Sequence, residues 1–320
     1  MTNLKWRSEM AHEVESMAYA GEVPWHGLGV EVHNDLTPVQ MLEKAGLNWT
    51  VDKYPTFCEV DGQKIVTADQ ALVRSSDKSI LSVVSDDWKP VQNHEAFEFF
   101  NEFVMEGDME MHTAGSLREG KNVWALAKVK DSFEILGGDK VESYLLFSNP
   151  HEYGRSIDIR FTPIRVVCNN TLTLSLAGKN DLMVRLNHRR AFDADLVKST
   201  LGIAHKKMGV YKDMAEYLSS KNFTVDSLNN YLKDVFPSLT KKDNTVMSRP
   251  AEQALAVLET QPGAEFGAGT FWAAFNAVTY TTDHLLGHSN ATRLQSAWYG
   301  SSRQRKVVAL EKAVAYADAA

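Results

Sequence analysis

The period of the hydrophobic pattern changes once along this chain, and that change limits the folds open to it. Up to about residue 188, apolar residues come in short alternating runs separated by turn signals, the pattern of strands. Beyond about Arg189 they recur every three or four residues, the pattern of amphipathic helices. Strands and helices are thus segregated along the sequence. The expected class is α+β: an antiparallel, strand-rich N-terminal part with packed helices over residues 1–188, then a mostly helical part over residues 189–320. "PSLTKKDNTVMSRP", near 237–250, is the candidate linker inside the helical part.

Local signals place individual elements. In "TPVQMLEKAGL", Thr37 is a helix cap, Pro38 suits the first helical position and Gly46 is a stop. Asp61-Gly62 in "FCEVDGQKIV" is a two-residue hairpin signal, and Ser75 to Lys78 turn a second hairpin. "NHEAFEFFNEFVMEGD" carries Ala96, Phe99, Phe100 and Phe103 near helical spacing, with Asn93 as cap and Gly107 as stop. Strands return in "MEMHTAGSL", "NVWALAKV" and "SYLLFSN". Past Arg189, "DADLVKSTLGIAHKKMGVYKDMAEYL", "TVDSLNNYLKDVF", "PAEQALAVLET", "GTFWAAFNAVTYTTDHLL" and "RKVVALEKAVAYA" read as helices.

Charge is spread unevenly. The chain of 320 residues has a formal net charge of −7, which argues against a uniformly basic, nucleic-acid-coating surface. From His151 to Lys212, however, eleven Lys and Arg stand against five Asp and Glu, a local +6 with −13 elsewhere. An anionic ligand is drawn to that segment, and the residues expected to hold it are Arg155, Arg160, Arg165, Arg185, Arg189, Arg190, Lys206 and Lys207. Within "DIRFTPIRVVCNNTLTLSL" the apolar parity reverses at Pro163, so a bulge or kink there puts Arg160 and Arg165 on one polar face. The plainer alternative is a pair of solvated strand arginines held by carboxylates on neighbouring strands.

Other constellations are weaker. Hydrophobic content of 44% with 23% charged residues is that of a globular protein. The start of the chain lacks a basic segment followed by an apolar run, so the expectation is a cytoplasmic protein with no membrane partner. Cys58 and Cys168 are expected as core thiols, and neither they nor the ten histidines assemble a metal motif. No motif asks for a cofactor, and no catalytic set is complete. In "PWHGLGV" His26 lies beside glycines without a Walker lysine, and a turn pinned by Trp25 is the favoured reading. Trp49, Trp88, Trp124, Tyr144 and Phe147 read mainly as core, with base stacking as the other use of such rings. "GSSRQRKVV" puts Arg303, Arg305 and Lys306 at a helix start, where cations oppose the macrodipole. A phosphate held by Ser301, Ser302, Arg303, Arg305 and Lys306 reverses that cost, and a solvated helix start is the alternative.

Three stretches, "MAHEVESMAYAGEVPWHGLG", "AGSLREGKNVWALAKV" and "RFTPIRVVCNNTLTLSL", occur in an order that resembles the phage/plasmid-like family, domain of unknown function family 932. That resemblance implies a mobile-element protein in a bacterial cytoplasm and supplies no catalytic residues. The coarse order of elements also resembles, at fold level, single-strand annealing proteins of the Rad52 and RecT kind. The expected function is binding of nucleic acid, single-stranded DNA first, in recombination or replication, with a homo-oligomer as a further expectation. Two other readings stay open. One is an enzyme acting on a nucleotide or other phosphorylated small molecule, with "GSSRQRK" as anion cradle and His26 or His188 as acid-base group. The other is a host-protein interaction factor.

Overall fold

The computed structural model describes residues 14–21, 29–165, 170–171, 183–189, 209–238, 246–287 and 293–320. The fold is α+β, with antiparallel sheets mainly in the N-terminal half and helices mainly in the C-terminal part. Expectations that fall on His26, Cys168, Arg190, Lys206, Lys207, residues 239–245 of the 237–250 linker and the side chain of Arg165 lie outside the described residues. Among the described residues no helix is long and apolar enough to cross a membrane.

Two compact units interleave along the chain. The first comprises residues 1–130, 145–160 and 183–200, and the second comprises 131–144, 161–182 and 201–320. The larger sheet has the order β10-β9-β8-β7-β6-β1-β2, with β11 also pairing β9. Its strands are β1 (Val14–Ala20), β2 (Val30–Val32), β6 (Met109–Leu117), β7 (Asn122–Ile135), β8 (Asp139–Pro150), β9 (Ile157–Arg165), β10 (Asn170–Thr171) and β11 (Met183–Leu186). A smaller sheet joins β3 (Val51–Val60), β4 (Gln63–Arg74) and β5 (Ile80–Ser85) in sequence order. By their residue ranges β7, β8 and β9 each contribute to both units.

In the first unit the turn chemistry behaves as the sequence predicts. Asp61 and Gly62 both take positive φ, as a tight hairpin between β3 and β4 requires. Helix α1 (Pro38–Lys44) starts on a reciprocal capping box: Thr37 Oγ1 accepts from the Gln40 N–H while Gln40 Oε1 accepts from the Thr37 N–H. Helices α2 (Asn93–Glu98) and α3 (Asn101–Met105) divide what the sequence reads as one element. Asn93 is not the cap. Glu95 accepts from the Gln92 N–H at 2.7 Å, whereas the Asn93 side chain turns inward and donates to the Leu47 and Trp49 carbonyls. Trp49, Trp88, Trp124, Tyr144 and Phe147 are all buried, which favours the core reading of these rings over a stacking platform. Cys58, expected in the core, is exposed. Strand β5 pairs only with Asp69–Val73 of β4, so nothing in that sheet flanks β4 beside Cys58.

One side chain ties the two sheets of this unit together. Arg74, at the end of β4 and 8% exposed, donates through Nε and Nη2 to both oxygens of Asp77 at 2.9 and 2.6 Å. Its Nη1 donates to both Glu15 oxygens on β1 at 2.8 Å, and Ser116 on β6 donates to the same Glu15. The carboxylates raise the Arg74 pKa, and the guanidinium holds Asp77 below the usual carboxylate range. Gly120 leaves room for the guanidinium: a Cβ there would stand 2.6 Å from Nη1.

The second unit is built around α7 (Phe271–Tyr280), in which every residue from Phe271 to Thr279 is buried. A helix apolar on all sides belongs at a centre. It is contacted by α5 (Val225–Val235), α6 (Arg249–Val257) and α9 (Ser301–Asp318), and α8 (Arg293–Tyr299) packs on α9. Residues 209–220, helical and here called α4, place Tyr211 against Trp272. Asp139 accepts from Trp272 Nε1 at 2.7 Å, and Tyr231 donates to the Ala309 carbonyl at 3.1 Å. Helix α8 carries no sequence signal that separates it from its neighbours.

Arg74→Met is expected to destabilise by about 3 kcal/mol, the low end for breaking a buried pair, because Glu15 and Asp77 are partly exposed and can rehydrate. Asp77→Asn should cost less than about half of that. Urea midpoints measure both, and equal losses for the two variants would remove Arg74 as the tie between the sheets.

Candidate nucleic-acid interface

The ribbon formed by β9 and β11 carries Arg160 and Arg185, and Arg155 and Arg189 flank it. Its register sets Leu186 opposite Ile157, Arg185 opposite Asp158, Val184 opposite Ile159 and Met183 opposite Arg160. Ile157, Ile159 and Phe161 bury one face. The other face carries Asp158, Arg160 and Arg185, since directly opposed residues and residues two apart share a side. Arg160 does not stand on a solvated face: it is 8% exposed, and its Nε donates to Asp158 Oδ1 at 2.7 Å. The strand has neighbours on both edges and buried residues on both faces, so an arginine there needs a carboxylate beside it. Because the Arg165 side chain is outside the described residues, its side relative to Arg160 is also outside them.

Three arginines do reach solvent. Arg185 keeps its Nε 3.9 Å from Asp158 Oδ2, Arg155 lies 3.7 Å from Glu152 Oε2, and Arg189 lies 3.2 Å from Asp87 Oδ2. Each side chain is more than half exposed. Two of the carboxylates are shared between arginines: Asp158 meets Arg160 and Arg185, and Glu152 meets Arg118 and Arg155. Because Leu186 opposes Ile157 in antiparallel sense, Arg155 and Arg189 leave the same end of the ribbon, with Arg185 one pair further in. Tyr153, 63% exposed, stands two residues from Arg155, and its N–H donates to Ser82 Oγ.

A histidine fastens this end. The His188 ring stacks on Trp88 with centroids 4.0 Å apart, its Nδ1 lies 3.2 Å from the Lys89 carbonyl, and its own carbonyl accepts from the Lys89 N–H at 2.6 Å. At 2% exposure and with burial lowering its pKa to about 4, His188 is neutral at ordinary pH and is no surface acid or base. His151, wholly buried, bonds Asn93 Oδ1 through Nε2 at 3.0 Å, and burial together with the neighbouring His188 lowers its pKa to about 3.

The five residues expected to cradle a phosphate at the start of α9 do not converge. Lys306 is fully buried, and its Nζ donates to both oxygens of Asp283 at 2.8 and 3.1 Å. It shares a helix face with Leu310 and Ala313, so it points to the core. Arg305 lies over the Phe236 ring at 5.5 Å, Ser302 Oγ is 2.8 Å from Ser296 Oγ, Arg303 is half-buried and Ser301 is exposed. Asp283 belongs to a π-helical turn, Thr281–Leu285, that continues α7. Among the described residues no group of three or more His, Cys, Asp or Glu could hold a metal.

Sequence reasoning missed Glu152, Asp158, Asp87, Asp283 and Tyr153. Asp158 had a local signal, its spacing of two from Arg160 on one strand, and Glu152 had another, its place three residues before Arg155. Asp87 and Asp283 meet their partners across long separations.

Two buried neutral histidines make stability depend on pH. Each folded pKa lies below the ordinary 6.5, so below that pH the unfolded chain takes protons that the folded chain refuses. Stability is complete above about pH 6.5 and falls with acidification, by up to about 1.4 kcal/mol per pH unit for each histidine. The loss levels off near pH 4 for His188 and pH 3 for His151. The urea midpoint should drop between pH 7 and 5, and less so in His151→Gln. An unchanged midpoint over that range would show that the pair is not buried in neutral form.

No curated protein and no solved structure matches this chain. A family model described as a domain of unknown function (DUF932) matches residues 80–309, from the start of β5 to the middle of α9, and the chain is therefore a member of that family.

Proposed function

We propose that this protein binds single-stranded nucleic acid, DNA in the first instance, along the end of the β9–β11 ribbon, and that it serves recombination or replication of a phage or plasmid. The observation that carries the reading is the grouping of Arg155, Arg185 and Arg189, each more than half exposed, at one end of a ribbon beside the exposed ring of Tyr153. Guanidinium groups bind phosphate oxygens in pairs of parallel hydrogen bonds, and an exposed aromatic face stacks any base. Arg155 and Arg189 sit 3.7 and 3.2 Å from their carboxylates at the surface, so a phosphate can draw them away at small cost. Arg160, buried and bonded to Asp158 within β9, is left out of this phosphate-binding set. The net charge of −7 favours a local, salt-sensitive interaction over coating of a long strand.

The reading as an enzyme on a phosphorylated small molecule has less support. Its expected cradle has Lys306 committed to Asp283, and of its two expected acid-base groups His188 is stacked and buried while His26 lies outside the described residues.

Fluorescence anisotropy with a labelled oligonucleotide over a range of salt concentrations tests the proposal. Arg155→Ala with Arg185→Ala and Arg189→Ala should weaken binding for all sequences and lower the salt slope by about 0.7 for each phosphate that is no longer neutralised. Tyr153→Ala should cost about 1–3 kcal/mol with little change of slope. Failure of the unaltered protein to bind at low salt would end the strand-binding reading.

A further inference from the structure

Among the described residues, the outer part of the β3–β4 hairpin stands without a third strand. Every residue from Phe57 to Val66 is exposed, on both faces of the ribbon. The register pairs Phe57 with Val66 and Glu59 with Lys64 on one face, and Cys58 with Ile65 and Val60 with Gln63 on the other. Four of these residues are large and apolar: Phe57 is 54% exposed, Val66 70%, and Val60 and Ile65 50% each. An isolated two-stranded ribbon is marginal in water, and an open strand edge with β-branched residues is a template for pairing with another chain. Strand β3 guards its own outer edge with Pro55, which has no N–H to offer. Strand β4 has no proline from Gln63 to Ala68, where β5 has not yet begun to pair.

We propose that this arm binds a second copy of the same chain, β4 against β4 across a two-fold axis, independently of the nucleic-acid reading. The register points to this occupant, and charge argues against another. Between Asp52 and Asp69 four acidic residues stand against Lys53 and Lys64, so the arm repels a nucleic acid. Strand β5 takes up the outer edge of β4 only from Asp69, which leaves Gln63–Ala68 open for pairing with a copy. Two-fold antiparallel pairing requires one residue to face its own copy. With Val66 in that position, Ile65 faces Thr67 of the other copy and Lys64 faces Ala68. One face then carries an unbroken apolar row across both copies: Phe57, Val66, Val66 and Phe57. No like charges oppose each other in this register.

Sedimentation velocity on the full chain, with and without an oligonucleotide, reads the mass directly. The expected result is a dimer at micromolar concentration and a monomer for Ile65→Lys with Val66→Lys, whose thermal midpoint should match that of wild type diluted to the monomer, because both side chains are exposed. Val66→Cys in a Cys58→Ser background should form a covalent dimer under mild oxidation, since opposed Cα atoms on paired strands lie within disulfide reach. Ile65→Cys in the same background should do so at least tenfold more slowly. A wild-type monomer at all concentrations overturns the proposal, and so does a dimer indifferent to the lysine pair. Loss of oligonucleotide binding in the lysine variant while wild type is monomeric would assign the arm to nucleic acid instead. If oligonucleotide binding is absent but the dimer and its cross-link behave as expected, only the strand-binding reading fails.

Discussion

The guanidinium of Arg74 meets one carboxylate from β1 of the larger sheet and one from the β4–β5 turn of the smaller sheet, and the rest of the first unit is arranged around that meeting. Glu15 cannot reach it unless β1 is seated on β6, which in turn needs Gly115: a Cβ there would lie 2.4 Å from the Ser16 carbonyl oxygen. Asp77 cannot reach it unless the β4–β5 turn is closed, and Lys78 takes a positive φ to close it. A buried arginine without these partners carries a desolvation cost of several kcal/mol. The charge thus fixes which of the many ways of stacking two twisted sheets is adopted, a specificity that apolar packing alone gives less sharply.

The same rule separates the arginines of the ribbon by role. Arg160, sunk among covered strands, is tied to Asp158 and has become part of the frame. Arg155, Arg185 and Arg189 keep more than half of their side chains in water. What distinguishes them is strand position, since all four are arginines in one short stretch of sequence.

This division explains how far the sequence could be read. Signals that act over two to four residues were legible: the Thr37–Gln40 cap, the Asp61-Gly62 turn and the stop at Gly107 are local chemistry. Asn93 misled because its residue type favours a helix cap, and only the distant carbonyls of Leu47 and Trp49 draw its side chain inward. Lys306 misled for a similar reason. Its place in a basic run reads as surface, but its spacing from Leu310 and Ala313 puts it on the buried face, where Asp283 awaits 23 residues away in sequence. Cys58 alternates like a core residue, and nothing within its own strand reports that β5 is too short to flank β4 there. The arginine cluster was legible as composition but not as geometry, because burial depends on which strands flank β9.

The interleaving of the two units bears on how the chain is made. The first unit needs residues 183–200 as well as 1–130, and the pairing of β9 with β11 is completed only by Leu186. During synthesis its N-terminal strands must therefore wait, at about 5–20 residues per second, for some fifty residues beyond residue 130 before that pairing can form. Once β9 has been made, and until β11 follows it, the edge of β9 is open to any extended segment nearby. A ribosome that pauses before residue 183 would lengthen the exposure, so the order of synthesis, more than final stability, sets the period in which this protein is most prone to misassembly.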